Sequence, residues 1–576
     1  MNNVQLADAF EALADLLRLK DPAAYTFEAR AYQRVADAIR ELPREVRAIA
    51  AEGNLTEIDG VGKAIAAKIM ELLENGKMRL LEELKGEIPV TLLDVLRING
   101  VGPKKAMLFH QQLGVNTIAD LTTAAREGKL RNLPGMGAKS ETKILEAIEA
   151  LARRITRARL DVATAAAERL LRPLRSVPGV LQAEIAGSVR RGKSTIGDID
   201  LLIAAYDAAP IMDAFVTHPD VIRILGQGDT KSSVEVHGGL NADLRVVPPE
   251  RFGTALNYFT GSQQHNIRLR QLALDRGLSL NEWAFTATDG SGREILCATE
   301  QEVYQQLGLA YIPPEMREDR GEIELAQSGK LPNLITMGDI RSDLHMHTVW
   351  SDGKLTVREM AWQARERGLQ YIVITDHSQS LGVANGLTVE RLLAQRAEIR
   401  EVDAEMQPYL RVFQGTEMEI RADGSLDYPD EVLAELDFVI ASLHTSLRQD
   451  RATITQRLLN AIRNPHVDLI GHPRGQLIPD REPADLDMDA VFAAAKETDT
   501  ALEINASPYR LDLDSAHARQ ASQMGIKLAI DTDAHSAGDF DVLRYGIGTA
   551  RRAWATAEMV INTWPLGQFL AWLGEE

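Results

Sequence analysis

From Met1 to about Arg154 the apolar positions recur three or four residues apart, and glycine turns interrupt them. That spacing is one face of a helix, so the stretch predicts short, packed helices. Three of the turns share one form. They are Leu55-Thr-Glu-Ile-Asp-Gly60-Val-Gly62-Lys63, Leu96-Arg-Ile-Asn-Gly100-Val-Gly102-Pro-Lys104 and Leu130-Arg-Asn-Leu-Pro-Gly135-Met-Gly137-Ala-Lys139. Each predicts a short helix, a Gly-x-Gly hairpin and a second helix whose first amides face outward. Glycines there let a phosphate backbone come close. One such turn is usually just a tight turn; three copies with a lysine one or two residues on point to a grip on nucleic-acid backbone. Gly60, Gly62, Gly100, Gly102 and Lys104 are the candidate contacts.

Beyond about residue 155 the pattern turns strand-like. Ile199, Leu201, Leu202 and Ile203 form an apolar run whose start carries Asp198 and Asp200. Residues two apart on a strand share a face, so the two carboxylates project together and call for a cation. Gly187-Ser188 lies just ahead, with Arg190, Arg191 and Lys193 close by, in a turn whose amides can hold phosphate oxygens. A third acid, Asp243, opens another apolar run that Pro248-Pro249 ends. Three aspartates on neighbouring strands can hold two metals for nucleotidyl transfer. Tyr258-Phe-Thr-Gly-Ser262 follows, then Asn266 and Arg270 at one-turn helical spacing.

After a polar stretch at 321–338, read as a linker, seven short apolar runs alternate with helical stretches. They fall at 343–347, 371–377, 411–417, 437–444, 467–472, 501–505 and 527–535. Repeated strand–helix units predict a parallel sheet, and seven of them an incomplete barrel. Six of the runs carry a histidine, aspartate or glutamate at the C-terminal end, where barrel enzymes keep their chemistry. The candidate ligands are His345, His347, Asp352, His377, Glu417, His444, His472, Asp533 and His535. They exceed the needs of one ion, so two or three are expected, and imidazole with carboxylate suits manganese, zinc or iron. Asp376, Glu419 and His466 fall near the pattern and are read as bystanders.

Bulk properties narrow the setting. The chain has 576 residues and a formal charge of −19, so DNA contact must be local, at Lys104-Lys105, at Arg153, Arg154, Arg157 and Arg159, or at Arg190, Arg191 and Lys193. Cys297 is the only cysteine, which excludes an internal disulfide and fits a reducing cytoplasm. Met1 to Lys20, with Asp8, Glu11 and Asp15, reads as an amphipathic helix and not a signal peptide. No run is long enough to span a membrane.

Gly187-Ser188, Asp198-x-Asp200, Asp243 and Tyr258 to Arg270 resemble the palm and nucleotide-binding stretch of family X DNA polymerases. The three hairpins resemble helix-hairpin-helix motifs, and Leu307 to Arg317 resembles the end of that polymerase core. Asp343-Leu-His-Met-His-Thr and Ser351-Asp-Gly353 resemble the opening of the PHP (polymerase and histidinol phosphatase) family. The whole chain is similar to bacterial family X polymerases with a C-terminal PHP domain. The resemblance implies a multidomain fold: an α-helical helix-hairpin-helix region, an α+β palm and thumb, and a distorted seven-stranded β/α barrel. The expected domains are 1–85, N-terminal helical; 86–154, duplex-gripping; 155–250, palm; 251–320, nucleotide-binding; 321–338, linker; and 339–576, PHP.

The resemblance further implies gap filling on gapped or primed duplex DNA from deoxynucleoside triphosphates, with magnesium or manganese at Asp198, Asp200 and Asp243. Ser188 and Arg191 hold the triphosphate, with an arginine from Arg154 to Arg157 as a further candidate. Tyr258, Phe259, Gly261 and Ser262 pack on the sugar, Asn266 contacts the nucleotide, and Arg270 reaches the template-side minor groove. Gln263 departs from an acidic residue of some eukaryotic relatives. The PHP half implies a 3′–5′ exonuclease, with cutting at abasic sites as a further expectation. Lys68, five residues after Lys63, matches a Schiff-base lysine of lyase-active relatives, although Glu28 and Ala64 replace assisting basic residues. A cytoplasmic monomer is expected. Three alternatives stay open: a DNA-binding module fused to a small-molecule phosphatase, a DNA scaffold with decayed sites, and a template-independent nucleotidyltransferase.

Overall fold

The computed structural model describes residues 1–574 apart from 2, 22, 23, 41, 43–45, 59, 97, 99 and 154–156. The chain forms two compact units, Met1–Ile155 and Thr156–Glu576. Arg154, a candidate triphosphate contact, and the hairpin residues Asp59, Arg97 and Asn99 lie outside the described residues.

The first unit is helical, as its periodicity predicts. One apolar cluster, with Phe10, Ile69, Leu84, Val95, Phe109 and Leu121, runs across the expected boundary at residue 85. The three glycine hairpins are built alike. Gly60, Gly100 and Gly135 hold left-handed φ values of 76°, 86° and 73°, which a side chain disfavours. The next residue turns inward: Val61 and Val101 are buried, and Met136 packs on the same core. Its amide donates back to Ile58, Ile98 or Leu133, at 3.0 Å in each hairpin. The following helices are Lys63–Asn75, Pro103–Leu113 and Ala138–Arg153. In one respect the expectation is corrected. The element ahead of the first and third hairpins is a single 3₁₀ turn, Leu55–Glu57 and Leu130–Asn132, and only Leu92–Leu96 is an α-helix. Six residues separate the left-handed Gly53 from Gly60 and Gly128 from Gly135, and entry and exit of the chain leave three of them for the turn.

In the second unit, β1 (Ala158–Arg159) pairs with β3 (Thr195–Ile196), beside a five-stranded palm sheet. The palm strands are β2 (Gln182–Ile185), β4 (Asp198–Ala204), β5 (Val221–Gln227), β6 (Lys231–Val236) and β7 (Asn241–Val247). Their order is β2-β4-β7-β6-β5, with only β4 and β7 parallel. The helix Leu160–Leu174 buries Leu160, Ala163, Ala167, Leu170 and Leu174 at helical period on this core. Helices Phe252–Thr260 and Gln263–Leu274 follow, then a small sheet of β8 (Leu278–Leu280), β9 (Phe285–Ala287) and β10 (Glu294–Ile295).

Residues 321–338 are not an open linker. The helix Glu322–Ser328 buries Ile323 and Ala326 in the same core as Leu269, Phe285 and Tyr304. Glu322 is fully buried and accepts from the backbone of Asp319 and Arg320, with His265 Nδ1 2.6 Å from its carboxylate. The polar composition reflects these buried partners instead of solvent.

The last seven strands run parallel in sequence order: β11 (Ser342–Asp343), β12 (Tyr371–Ile374), β13 (Arg411–Glu419), β14 (Phe438–Ser442), β15 (Leu469–Ile470), β16 (Ala501–Asn505) and β17 (Leu528–Asp531). The first and last runs also meet. Met346 bridges Ala534, and the His347 amide donates to the Ala534 carbonyl at 2.8 Å, so the barrel is nearly closed. Inward residues at the strand starts, Tyr371, Phe438, Leu469 and Ala501, fill its lower end together with Phe569 from the helix Leu566–Leu573. The Phe569 ring stacks on Tyr371 at 4.9 Å. Phe569→Ala should therefore lower stability by about 3–5 kcal/mol, read as a lower urea midpoint of the far-UV signal against the parent.

Candidate active sites

The palm acids stand as their period predicts. Asp200 pairs in register with Asp243 across the parallel β4–β7 ladder, and Asp198 lies two residues earlier on the same face. Burial, then Asp198 and then Asp243, push the Asp200 carboxyl up to about 7. That is the mark of a carboxylate cluster that a divalent cation would neutralise, so the residues fit a metal. Lys231 Nζ sits 3.1 Å from Asp243 Oδ2 and covers part of that charge.

Gly187 opens the one-turn helix Gly187–Arg190 with φ of 61°. A Cβ there would collide with the Asp200 carboxylate, so only glycine lets the cradle lie against the acids. The half-buried Ser188 follows it. Arg191 is buried and engaged, donating from Nε to Glu318 at 2.9 Å and from Nη1 to the Thr260 carbonyl at 2.7 Å. Arg190 makes a two-pronged pair with Glu300 at 2.9 and 2.8 Å. The other candidate arginines have local partners: Arg157 donates to Thr195, and Arg159 pairs with Asp161 and lies 3.5 Å from the Tyr509 ring centre.

Tyr258 and Phe259 meet edge to face at 5.1 Å on the helix Phe252–Thr260. The Asn266 amide donates to the Tyr258 carbonyl at 2.7 Å, and a Cβ on Gly261 would lie 2.6 Å from Asn266 Oδ1. Asn266 thus fixes the end of that helix. Ser262 is the N-cap of Gln263–Leu274, its hydroxyl accepting from the His265 amide. Exposed Arg270 has Nε 3.4 Å from the Asn266 carbonyl. Arg245 was missed: it lies two residues past Asp243, on the same face, with its guanidinium 4.3 Å from the Phe259 ring centre. The period-two rule applied to Asp243 would have found it.

All nine barrel candidates converge at the strand ends. Glu417 is their centre. Its Oε2 lies 2.9 Å from His377, 3.3 Å from His345 and 3.5 Å from His347, and its Oε1 lies 2.8 Å from His472 and 3.2 Å from His444. Asp533 Oδ1 is 3.1 Å from His347, and Asp352 Oδ1 is 3.3 Å from His535 and 3.6 Å from His377. Three subsets could each hold an ion: His347, Asp352, His377 and His535; His345, His347 and Asp533; His377, Glu417 and His444. Both Glu417 oxygens and Nε2 of His345, His347 and His472 are buried without a hydrogen-bond partner. Orphaned donors of this kind, aimed at one another, fit cations. Burial, then His377 and His535, push His347 down to about 4, the neutral form a ligand needs. His472 and Asp533 both hold left-handed backbone, φ 25° and 55°, which is strain localised at the site.

The bystander reading of Glu419 and Asp376 is corrected. Glu419 Oε2 lies 2.7 Å from His444 Nδ1, which turns Nε2 toward Glu417. Asp376 accepts from Thr348 and Ser351 and so shapes the loop that carries Asp352. His466 packs away, its amide bound to Asn464. Glu503, on β16, was missed although it stood as a lone acid in an apolar run. Its Oε1 lies 2.7 Å from His345 Nδ1, and its Oε2 accepts from the His472 amide at 2.5 Å. Arg510 was missed too: Nε lies 3.6 Å from Asp533 Oδ2, and Nη1 is buried without a partner.

In the first unit Gly60, Gly62, Gly100, Gly102 and Lys104 are exposed, as a backbone grip requires, while Lys105 donates to the Gly100 carbonyl at 2.8 Å. Lys68 is half-buried, with Nζ 6.0 Å from the Tyr32 ring centre. Among the described residues no helix is long and apolar enough to cross a membrane.

A helix-hairpin-helix domain matches residues 1–78, a SAM-like helix-hairpin-helix tandem 92–150, a DNA polymerase beta thumb 255–318 and a PHP domain 343–507. DNA polymerase/3′-5′ exonuclease PolX of Bacillus subtilis (strain 168) is 37% identical over 575 residues, 100% of this chain and 99% of its own length. DNA polymerase lambda of Rattus norvegicus is 29% identical over 347 residues, 55% of this chain and 56% of its own. A probable phosphatase of Thermoanaerobacter sp. (strain X514) is 32% identical over 246 residues, 41% of this chain and 94% of its own. With a full-length relative at that identity, the chain belongs to the family X DNA polymerases that carry a C-terminal PHP domain.

Proposed function

We propose that this chain is a gap-filling DNA polymerase with a 3′–5′ exonuclease in its PHP barrel, each activity resting on its own metal-dependent site. The observation that carries the reading is the register of Asp200 on Asp243 with Gly187 seated against them. In polymerisation the primer 3′ oxygen bonds to the α-phosphorus of a deoxynucleoside triphosphate and pyrophosphate leaves. Asp198, Asp200 and Asp243 would hold magnesium or manganese, which supplies charge neutralisation and a more acidic 3′ hydroxyl. The cradle from Gly187 to Arg191 would orient the triphosphate, with Arg191 acting from its seat on Glu318. Tyr258, Phe259 and Gly261 would bound the sugar, Asn266 would keep that wall in place, and Arg270 would face the template. The glycine hairpins and Lys104 would hold the duplex backbone, and Lys68 a phosphate at the gap.

In the barrel, His345, His347, Asp352, His377, Glu417, His444, His472, Asp533 and His535 would hold two or three ions of manganese, zinc or iron. Such ions supply Lewis acidity toward a phosphodiester. Glu503 and Glu419 would keep His345 and His444 turned to the site, and Arg510 would face the scissile phosphate. We propose that it works on DNA in the cytoplasm, as a monomer.

A labelled duplex with a one-nucleotide gap, incubated with manganese, tests both halves: extension is expected with deoxynucleotides and 3′ shortening without them. Release of phosphate from histidinol phosphate, without shortening of DNA, would overturn the nuclease half in favour of a phosphatase. Asp200→Asn and Gly187→Ala should each slow extension by about 100-fold or more and leave shortening unchanged. Glu417→Gln should do the reverse and lower the metal content per chain, measured by elemental analysis. Glu503→Gln, which keeps every ligand but loosens His345, should weaken metal binding by about 10- to 100-fold in a chelator titration.

A further inference from the structure

The nucleotide cradle is held from behind by the barrel. Helix Leu543–Arg552 belongs to both halves of the second unit. Leu543, Ile547 and Ala550 join the barrel core, while Tyr545 enters the palm core together with Leu511 from the loop after β16. At the end of that helix Arg552 is 7% exposed. Its Nη1 donates to the backbone carbonyl of Arg191 at 2.8 Å and to Glu318 Oε1 at 3.0 Å. Arg191 donates its own Nε to the same Glu318 oxygen at 2.9 Å. Gly192, with φ of 67°, turns the chain immediately afterwards, so close that a Cβ would lie 3.7 Å from Arg552 Cδ.

Two guanidiniums thus share one buried carboxylate. Burial pushes Glu318 up, but Arg552, Arg191 and Lys193 outweigh it and hold the acid well below the usual carboxylate range. The pairing repeats alongside, where Glu300 sits between Arg190 and buried Arg317. In each case two guanidiniums are held by one carboxylate, with Lys193 also 4.0 Å from Glu318. Arg552 also sets how strongly Glu318 draws on Arg191. Without the second guanidinium, the carboxylate would pull on Arg191 alone and the Arg191 carbonyl would lose its donor.

We propose that Arg552 is a positioning residue for the polymerase half: from the PHP side it sets the orientation of Arg191 and of the cradle that receives the triphosphate. The inference rests on the assignment of that cradle to the triphosphate. A salt-bridged, buried arginine of this kind makes the barrel a structural part of the polymerase site, independent of the barrel's own chemistry.

The test uses the full chain on a duplex with a one-nucleotide gap, with the deoxynucleotide titrated, and compares the parent with Arg552→Gln and Arg552→Lys. Arg552→Gln should raise KM for the deoxynucleotide about tenfold, change kcat by less than about twofold, and leave 3′ shortening at the parental rate. Arg552→Lys, which restores the charge but not the fork, should recover part of the KM. Unchanged KM in Arg552→Gln would overturn the proposal. A fall of kcat and shortening together would overturn it as well, since that is the result of a merely structural role. If the parent itself adds no nucleotide, the cradle assignment fails and the inference falls with it; if the parent extends and only KM in the variants is parental, the cradle stands and Arg552 alone is misassigned.

Discussion

Carboxylates crowded at the ends of parallel strands are the constraint on which both halves of the second unit depend. Brought together they repel, and the protein answers in two ways. In the palm the repulsion is left standing: Asp200, beside Asp198 and Asp243, is pushed up to about 7, and only Asp243 has a cation, Lys231, against it. In the barrel it is answered within the chain: Glu417 is set among five imidazoles, and the attraction of His444, His345 and His377 outweighs burial and holds it well below the usual range. Either arrangement persists only on a rigid frame, because a freely moving carboxylate would swing into water. Parallel register supplies the frame in the palm, and seven strand ends supply it in the barrel.

The acids and imidazoles at strand ends were legible because period and punctuation reveal them. Asp198 and Asp200 stand two apart before an apolar run, and Asp243 repeats the arrangement. Residues that orient others were not legible in the same way. Glu503 takes its meaning from His345, 158 positions away, and Glu419 from His444, 25 positions away. In sequence Glu503 is one acid in an apolar strand and Glu419 merely follows Glu417 by two, with nothing nearby to name the partner of either. Residues 321–338 failed for the same reason. Their polarity suggests solvent, yet Glu322 is buried against His265, 57 positions earlier. Arg191 looked like an open cation in a charged turn, and only the fold shows its guanidinium already seated on Glu318.

The first unit solves a milder problem by repetition. A chain with formal charge −19 cannot draw DNA by bulk attraction, so it must offer backbone amides at fixed places. The Gly-x-Gly hairpins do this economically in chain length. The inward residue, Val61, Val101 or Met136, anchors each turn in one shared core, and the flanking glycines leave the outer surface bare. The lysine after the turn adds charge without being needed for the fold. The hairpins read clearly from sequence, although the leading helices of the first and third are single 3₁₀ turns.

Closure of the barrel has a kinetic consequence. The ligand set draws His345 and His347 from the first run and Asp533 and His535 from the last. The seam between them joins Asp343 to Thr532, 189 positions apart. Such contacts form late, because the loop between them must lose its freedom before any contact rewards the loss. The six other strand pairings can zip up between neighbours in sequence, but the nine candidate ligands are not gathered until the seam joins. Ions present during refolding would capture the chain after that step, locking the ring shut instead of guiding its assembly.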